Sequence, residues 1–192
     1  MGNAMLKEDS LLMGTGRKGI YTVADIEALP EGERAELIDG EMFVMDAPSF
    51  THQDILSWLH IRIGIYLMEH KGMCKVLPAP FAVYILNDDY NYVEPDISVI
   101  CDRNRIDEKG CHGAPDWAVE IVSPSSKYRD YVKKLVLYEA AGMREYWIID
   151  PQQRSITVYD LEHKTGPMLH SFSERVKAGI YEDLYIDFSE FE

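Results

Sequence analysis

Two carboxylates and a lysine carry the first chemical suggestion. Glu120 stands among five apolar residues in Trp117-Ala118-Val119-Glu120-Ile121-Val122, a run that reads as a buried strand. A carboxylate buried without a partner costs several kcal/mol or stays protonated, so Glu120 calls for a cation. Asp96 opens an earlier apolar run, Pro95-Asp96-Ile97-Ser98-Val99-Ile100. If the two strands are neighbours, both acids project at one end of a sheet, where ligands of open α/β sheets gather. Two acids that close repel, and one of them would hold a proton. A divalent cation removes the conflict, and oxygen ligands completed by water favour Mg²⁺ or Mn²⁺. Lys134, fourteen residues after Glu120, adds a positive charge. The chemistry that suits this set is metal-assisted hydrolysis of a phosphodiester. The plainer account makes Asp96 a strand cap, pairs Glu120 with a buried base, and leaves Lys134 in a surface i,i+4 pair with Asp130 worth about 0.3–0.5 kcal/mol.

The elements that must position these residues follow from periodicity and turn signals. Thr22-Val23-Ala24-Asp25 is a capping pattern for a short helix that ends near Leu29. Glu36 to Met45 reads as a hairpin about Asp39-Gly40. A second capping pattern at Thr51-His52-Gln53-Asp54 starts the longest helix, up to Lys71-Gly72. Strands are expected over 76–86, 95–101, 116–122 and 145–149, and a helix over about 127–141 with Gly142 as its cap. The strands of 36–45, 76–86, 95–101, 116–122 and 145–149 are expected to form one sheet with both long helices packed on it. Residues 1–20 are expected to be a flexible lead-in, and Gly2-Asn3-Ala4 ahead of Met5 is compatible with an expression scar over 1–4. Residues 21–192 then form one α/β domain.

Composition narrows the field. The chain has 192 residues, 46% of them hydrophobic, enough for a real core. It lacks an apolar run of the ~18 residues needed to span a bilayer, and its start lacks the basic and apolar regions of a signal peptide. Cys74, Cys101 and Cys111 show no C-x-x-C spacing and are read as free thiols, which suits the cytoplasm. A net charge of −14 argues against tight binding of naked nucleic acid, which depends on neutralising phosphates. One basic cluster, Lys127, Arg129, Lys133 and Lys134, follows the Glu120 strand directly. It reads either as a solvated helix face or as a substrate contact. No metalloprotease, nucleophile-elbow, Walker or dinucleotide motif occurs.

Several short words then accumulate: Glu36-Leu37-Ile38-Asp39-Gly40-Glu41, His52-Gln53, Pro95-Asp96-Ile97-Ser98-Val99, Pro115 to Ser126, Asp130 with Lys134 and Tyr138, and Glu145-Tyr146-Trp147-Ile148-Ile149-Asp150-Pro151. In this order and spacing the chain resembles the restriction endonucleases of the PD-(D/E)XK superfamily, in a bacterial branch long known only as a domain of unknown function. The resemblance implies an α/β (α+β) restriction-endonuclease-like core, a mixed central β-sheet flanked by helices. It implies Mg²⁺ (or Mn²⁺) on Asp96, Glu120 and the Ile121 carbonyl, with Glu36 as a further catalytic acid. The superfamily's usual lysine, two residues after the second acid, is replaced by Val122, and Lys134 is the residue that matches it. The implied partners are nucleic acid, DNA first, and a second copy of the chain. Lys127, Arg129, Lys133, His52 and Gln53 are the candidates for substrate contact. Two readings stay open: a metal-dependent nuclease, and a catalytically silent interaction domain on the same fold. Convergence of Glu36, Asp96, Glu120 and Lys134 on one reachable point separates them.

Overall fold

Capping and turn chemistry set the N-terminal elements. The structure, a computed structural model, describes residues 19–191; the expected scar and nearly all of the lead-in lie outside the described residues. Helix α1 (Val23–Glu27) begins at Thr22, whose backbone N–H and hydroxyl donate to Asp25 at 2.7 and 2.9 Å. Strands β1 (Ala35–Ile38) and β2 (Glu41–Val44) turn about Asp39 and Gly40. Both turn residues have positive φ, 51° and 75°, the conformation a two-residue hairpin loop demands. Helix α2 (Phe50–Glu69) starts slightly earlier than expected, because the Ser49 hydroxyl accepts the His52 N–H and serves as the cap.

The remaining strands are β3 (Lys75–Pro78), β4 (Val83–Tyr84), β5 (Ile97–Ile100), β6 (Cys111–His112), β7 (Trp117–Ile121), β8 (Glu145–Asp150), β9 (Ser155–Asp160), β10 (Met168–Ser171), β11 (Arg175–Lys177) and β12 (Tyr185–Asp187). Six of them make the central sheet in the order β10-β9-β8-β7-β5-β3. The sheet is mixed: β7 and β8 are parallel, and its other neighbours are antiparallel. A parallel pair needs a crossover. Here it is a π-helical turn over Arg129–Lys134 that runs into helix α3 (Leu135–Ala140).

Strand alternation divides the core in two. Trp117, Val119 and Ile121 of β7 pack with α2 residues Ile55, Leu59 and Ile63. Ala118 and Val122 point to the other face, with Leu137, Tyr138 and Tyr146. Glu120, on the period-two pattern, shares this second face. Both faces of β7 are therefore covered, which is why its sequence is continuously apolar apart from Glu120.

Two parts of the expected sheet are corrected. The 36–45 hairpin is a separate two-stranded sheet, joined through a Leu37–Tyr92 bridge in which each N–H donates to the other carbonyl at 2.7–2.8 Å. The 76–86 segment divides at Pro80, which has no N–H to offer a ladder; beyond it β4 pairs with β6 instead. The free-thiol reading also fails for two cysteines. Register places Lys75 opposite Ile100, so the adjoining Cys74 and Cys101 face each other, and they are disulfide-bonded; Cys111 is free and buried. Closing a loop of this length stabilises a fold by about 3–4 kcal/mol. Cys74→Ser, or reduction of the wild type, is expected to lower the urea midpoint accordingly. Identical midpoints with and without reductant would show that the bond does not form in solution.

Of the tail residues Ile180, Tyr181, Leu184, Tyr185 and Ile186, only Tyr185 stays exposed. Leu184 and Ile186 are buried in the α2-side core, and Ile180 and Tyr181 pack against it. Among the described residues no helix is long and apolar enough to cross a membrane.

Candidate active site

The sheet register alone brings the two sequence-separated acids together. Ile97 lies opposite Val119 in the antiparallel β5–β7 pair, and one further step sets Asp96 opposite Glu120. Asp96 Oδ2 accepts the Ile121 N–H at 2.7 Å, so the aspartate is tied to the backbone of the residue after Glu120. His52, from the first turn of α2, places Nε2 3.0 Å from the same oxygen. Burial works against a charge on His52, but its bonds to Asp96 and the Ile121 backbone and the charge on Asp130 outweigh it and raise its pKa.

Glu120 is held from the opposite side. Its Oε1 accepts from Lys134 Nζ at 2.7 Å and from the Tyr138 hydroxyl at 2.9 Å. Lys134 Nζ also lies 2.8 Å from Glu36 Oε1 and 3.7 Å from Asp130 Oδ1. Glu36 Oε1 accepts the Glu94 N–H at 2.9 Å, and its Oε2 sits 3.2 Å from Arg129 Nε. Lys134 is 1% exposed, so the surface-pair account of it does not hold.

Burial alone would push all three of these carboxyls up. For Glu36, Lys134, Arg129 and its hydrogen bonds win and hold it below the usual carboxylate range. For Glu120, burial wins with help from Asp130, Asp96 and Glu36, against Lys134, and its pKa lies well above that range. Asp130 is raised for the same reason, burial outweighing Lys134 and Arg129. Burial also disfavours the charge on Lys134, but Glu120, Glu36 and Asp130 outweigh it and keep the amine protonated. Arg129 is held likewise, by Glu36 first.

A cleft of about 1490 Å³ opens on this group, with His52, Gln53, Asp96, Glu120, Arg129 and Lys134 in its lining. Glu36 stands behind Lys134 and does not line it. The donor set fits a hard divalent cation. Asp96 Oδ1 and Glu120 Oε2 accept no hydrogen bond among the described residues, and four carboxylates (Glu36, Asp96, Glu120, Asp130) gather around Arg129, Lys134 and the imidazole of His52. No group of three or more His, Cys, Asp or Glu side chains among the described residues is spaced to hold a metal unaided. Two carboxylates and one carbonyl leave the other positions to water and phosphate oxygens, as Mg²⁺ sites commonly do.

The basic cluster is not a free cationic surface. Lys127 Nζ is 2.8 Å from Asp150, and Lys133 Nζ is 2.7 Å from Glu41. Neither lines the cleft, whereas Arg129 does, with Glu36 beside it. Gln53 is exposed at the cleft. Sequence reading gave Tyr138 no role at the site and missed the burial of Asp130. The available signal was the spacing 130, 134, 138, one polar stripe on a helix face that should be apolar.

Comparison with known proteins bears on the fold and the family. One structural match is the crystal structure of "a putative nuclease belonging to DUF820" from Anabaena variabilis, with a TM-score of 0.71 over 88% of this chain and 96% of that one; at 22% identity the likeness is one of fold. The "Uncharacterized protein slr1290" of Synechocystis sp. is 28% identical over 130 residues, 66% of each chain, so this chain spans about two thirds of that relative. Residues 23–178 match the Uma2 family, described as "Putative restriction endonuclease", and the chain belongs to that family.

Proposed function

We propose that the protein is a metal-dependent endonuclease that hydrolyses phosphodiester bonds of nucleic acid, DNA first, with Mg²⁺ or Mn²⁺. One observation carries this reading: Lys134 Nζ lies within 2.8 Å of both Glu120 and Glu36, and Lys134, Glu120 and Asp96 line one cleft. Asp96, Glu120 and the Ile121 carbonyl are the residues that would hold the cation. When bound, such a cation lowers the pKa of water and stabilises charge on phosphorus. The Ile121 N–H and His52 fix the Asp96 carboxylate, and Lys134 with Tyr138 fixes Glu120. Lys134, within hydrogen-bond reach of Glu120 and Glu36, would bring a positive charge to the reacting phosphate. Its role is electrostatic, countering negative charge that develops at the phosphate. Glu36 keeps Lys134 in place. Arg129 and Gln53 are the cleft's substrate contacts, and Lys127 and Lys133 act at most at its margin. Hydrolysis joins the water oxygen to phosphorus and breaks one P–O ester bond, and the leaving oxygen takes up a proton. Pairing of two copies rests on the superfamily resemblance alone.

The charge distribution favours the second reading, a silent domain that binds a protein partner. Net charge is −14, and Lys127, Arg129, Lys133 and Lys134 each already have an acidic neighbour. A cleavage panel of single-stranded DNA, duplex DNA and RNA, with Mn²⁺, Mg²⁺ or EDTA, separates them. Metal-dependent products are expected from at least one substrate, and none in EDTA. An unchanged panel under all metals would leave the silent domain as the account.

A further inference from the structure

The turn that carries the site's cations is not α-helical, and a side chain of the neighbouring strand reaches into it. Arg129 and Lys134 are five residues apart. At about 100° per residue, an α-helix would set them about 140° apart, on different sides. In a π-helical turn, whose hydrogen bonds run i→i+5, residues five apart come round to nearly the same side. Arg129–Lys134 is such a turn, and both side chains reach Glu36 from it, Arg129 Nε at 3.2 Å from Oε2 and Lys134 Nζ at 2.8 Å from Oε1. An i→i+4 ladder through this turn would have the Asp130 carbonyl accept from Lys134 N–H. The buried Tyr146 hydroxyl, from β8, donates to that carbonyl at 3.0 Å. A side chain inserted into the i→i−4 ladder is a known cause of helix distortion. Tyr146 is itself fixed, opposite Ala118 in the parallel register and edge-on to Tyr138 at 4.9 Å.

We infer that Tyr146 is a positioning residue that pins the wide helical turn and so delivers Arg129 to the same carboxylates as Lys134. Tyr146 does not line the cleft, and among the described residues its hydroxyl donates to the Asp130 carbonyl and to no candidate ligand side chain; it acts through helix register. The consequence for cleavage rests on the nuclease reading, and the structural consequence does not.

Tyr146→Phe keeps the ring and removes only the donor. The Arg129 Nε–H resonance is expected to be shifted and slow to exchange with solvent in the wild type, and to broaden or move to the free-arginine position in Tyr146→Phe. Tyr159→Phe, in the ring stacked on Tyr146 at 5.9 Å, is the control for aromatic packing and should leave that resonance in place. Misplacing a group by about 1 Å can cost about a hundred-fold in rate, so a drop of that order is expected for Tyr146→Phe cleavage. In an Arg129→Ala background Tyr146→Phe should then cost nothing more. An unchanged Arg129 resonance in Tyr146→Phe overturns the inference, whatever the cleavage result. A wild type that cuts nothing while the resonance responds as expected overturns the nuclease reading and leaves the inference standing.

Discussion

Lys134→Ala is expected to abolish cleavage and to weaken the fold at the same time. The sequence spacing alone pairs Lys134 with Asp130 on a surface, where its loss would cost a few tenths of a kcal/mol. The structure buries it to 1% exposure between Glu120, Glu36 and Asp130. Removing one partner of a buried ion group costs about 3–5 kcal/mol, because the other charges stay behind unpaired. Loss of a group that stabilises transition-state charge costs about a hundred- to a thousand-fold in rate. Urea unfolding and initial cleavage rates measure the two effects separately. Lys134→Met combined with Glu36→Gln removes a cation and an anion together, so it should recover part of the stability and none of the cleavage. Lys133→Ala, which breaks only the half-exposed pair with Glu41, should change stability by less than about 1 kcal/mol. A Lys134→Ala protein with the wild-type midpoint and rate would contradict the placement of this residue at the site.

Asp96→Asn is expected to remove most of the affinity for Mn²⁺. Replacing even a residue that only supports a metal ligand typically costs 10- to 100-fold, and a direct ligand should cost at least about a hundred-fold. The substituted side chain keeps a carbonyl oxygen to accept the Ile121 N–H, so the strand pairing should survive and the midpoint should move little. Calorimetric titration of both proteins gives the comparison. Equal Mn²⁺ binding by the two would take Asp96 off the ligand set and leave Glu120 with no partner across the sheet.

Much of this site was legible because strand chemistry is local. Glu120 stands out in its own hexapeptide, since a strand covered on both faces leaves no ordinary place for a carboxylate. Asp96 could be found because proline and aspartate open an apolar run, and the antiparallel register does the rest. Lys134 stood out by its place fourteen residues after Glu120, and the resemblance matched it to the superfamily's lysine. The partners of the basic residues were not legible. Lys133 reaches Glu41 across 92 residues, and Arg129 reaches Glu36 through a helical turn whose width depends on a tyrosine of the next strand. Helical spacing assumes an α-helix and fails where a side chain from outside takes a ladder carbonyl. The hairpin left the central sheet for a similar reason. Its alternation specifies a strand and says nothing of which edge it meets, and Leu37 pairs with Tyr92 rather than with β3. The disulfide depends on the β3–β5 register, which no cysteine count contains.

Cleavage by wild type and Glu120→Ala, each in Mn²⁺ and in EDTA on matched single-stranded and duplex DNA, tests the central claim most directly. Glu120 is the residue on which the candidate metal, Lys134 and Tyr138 all depend. The account predicts products from the wild type in Mn²⁺ alone, and none from Glu120→Ala in either condition. Equal cleavage by the two proteins, or cleavage by the wild type that persists in EDTA, would contradict it.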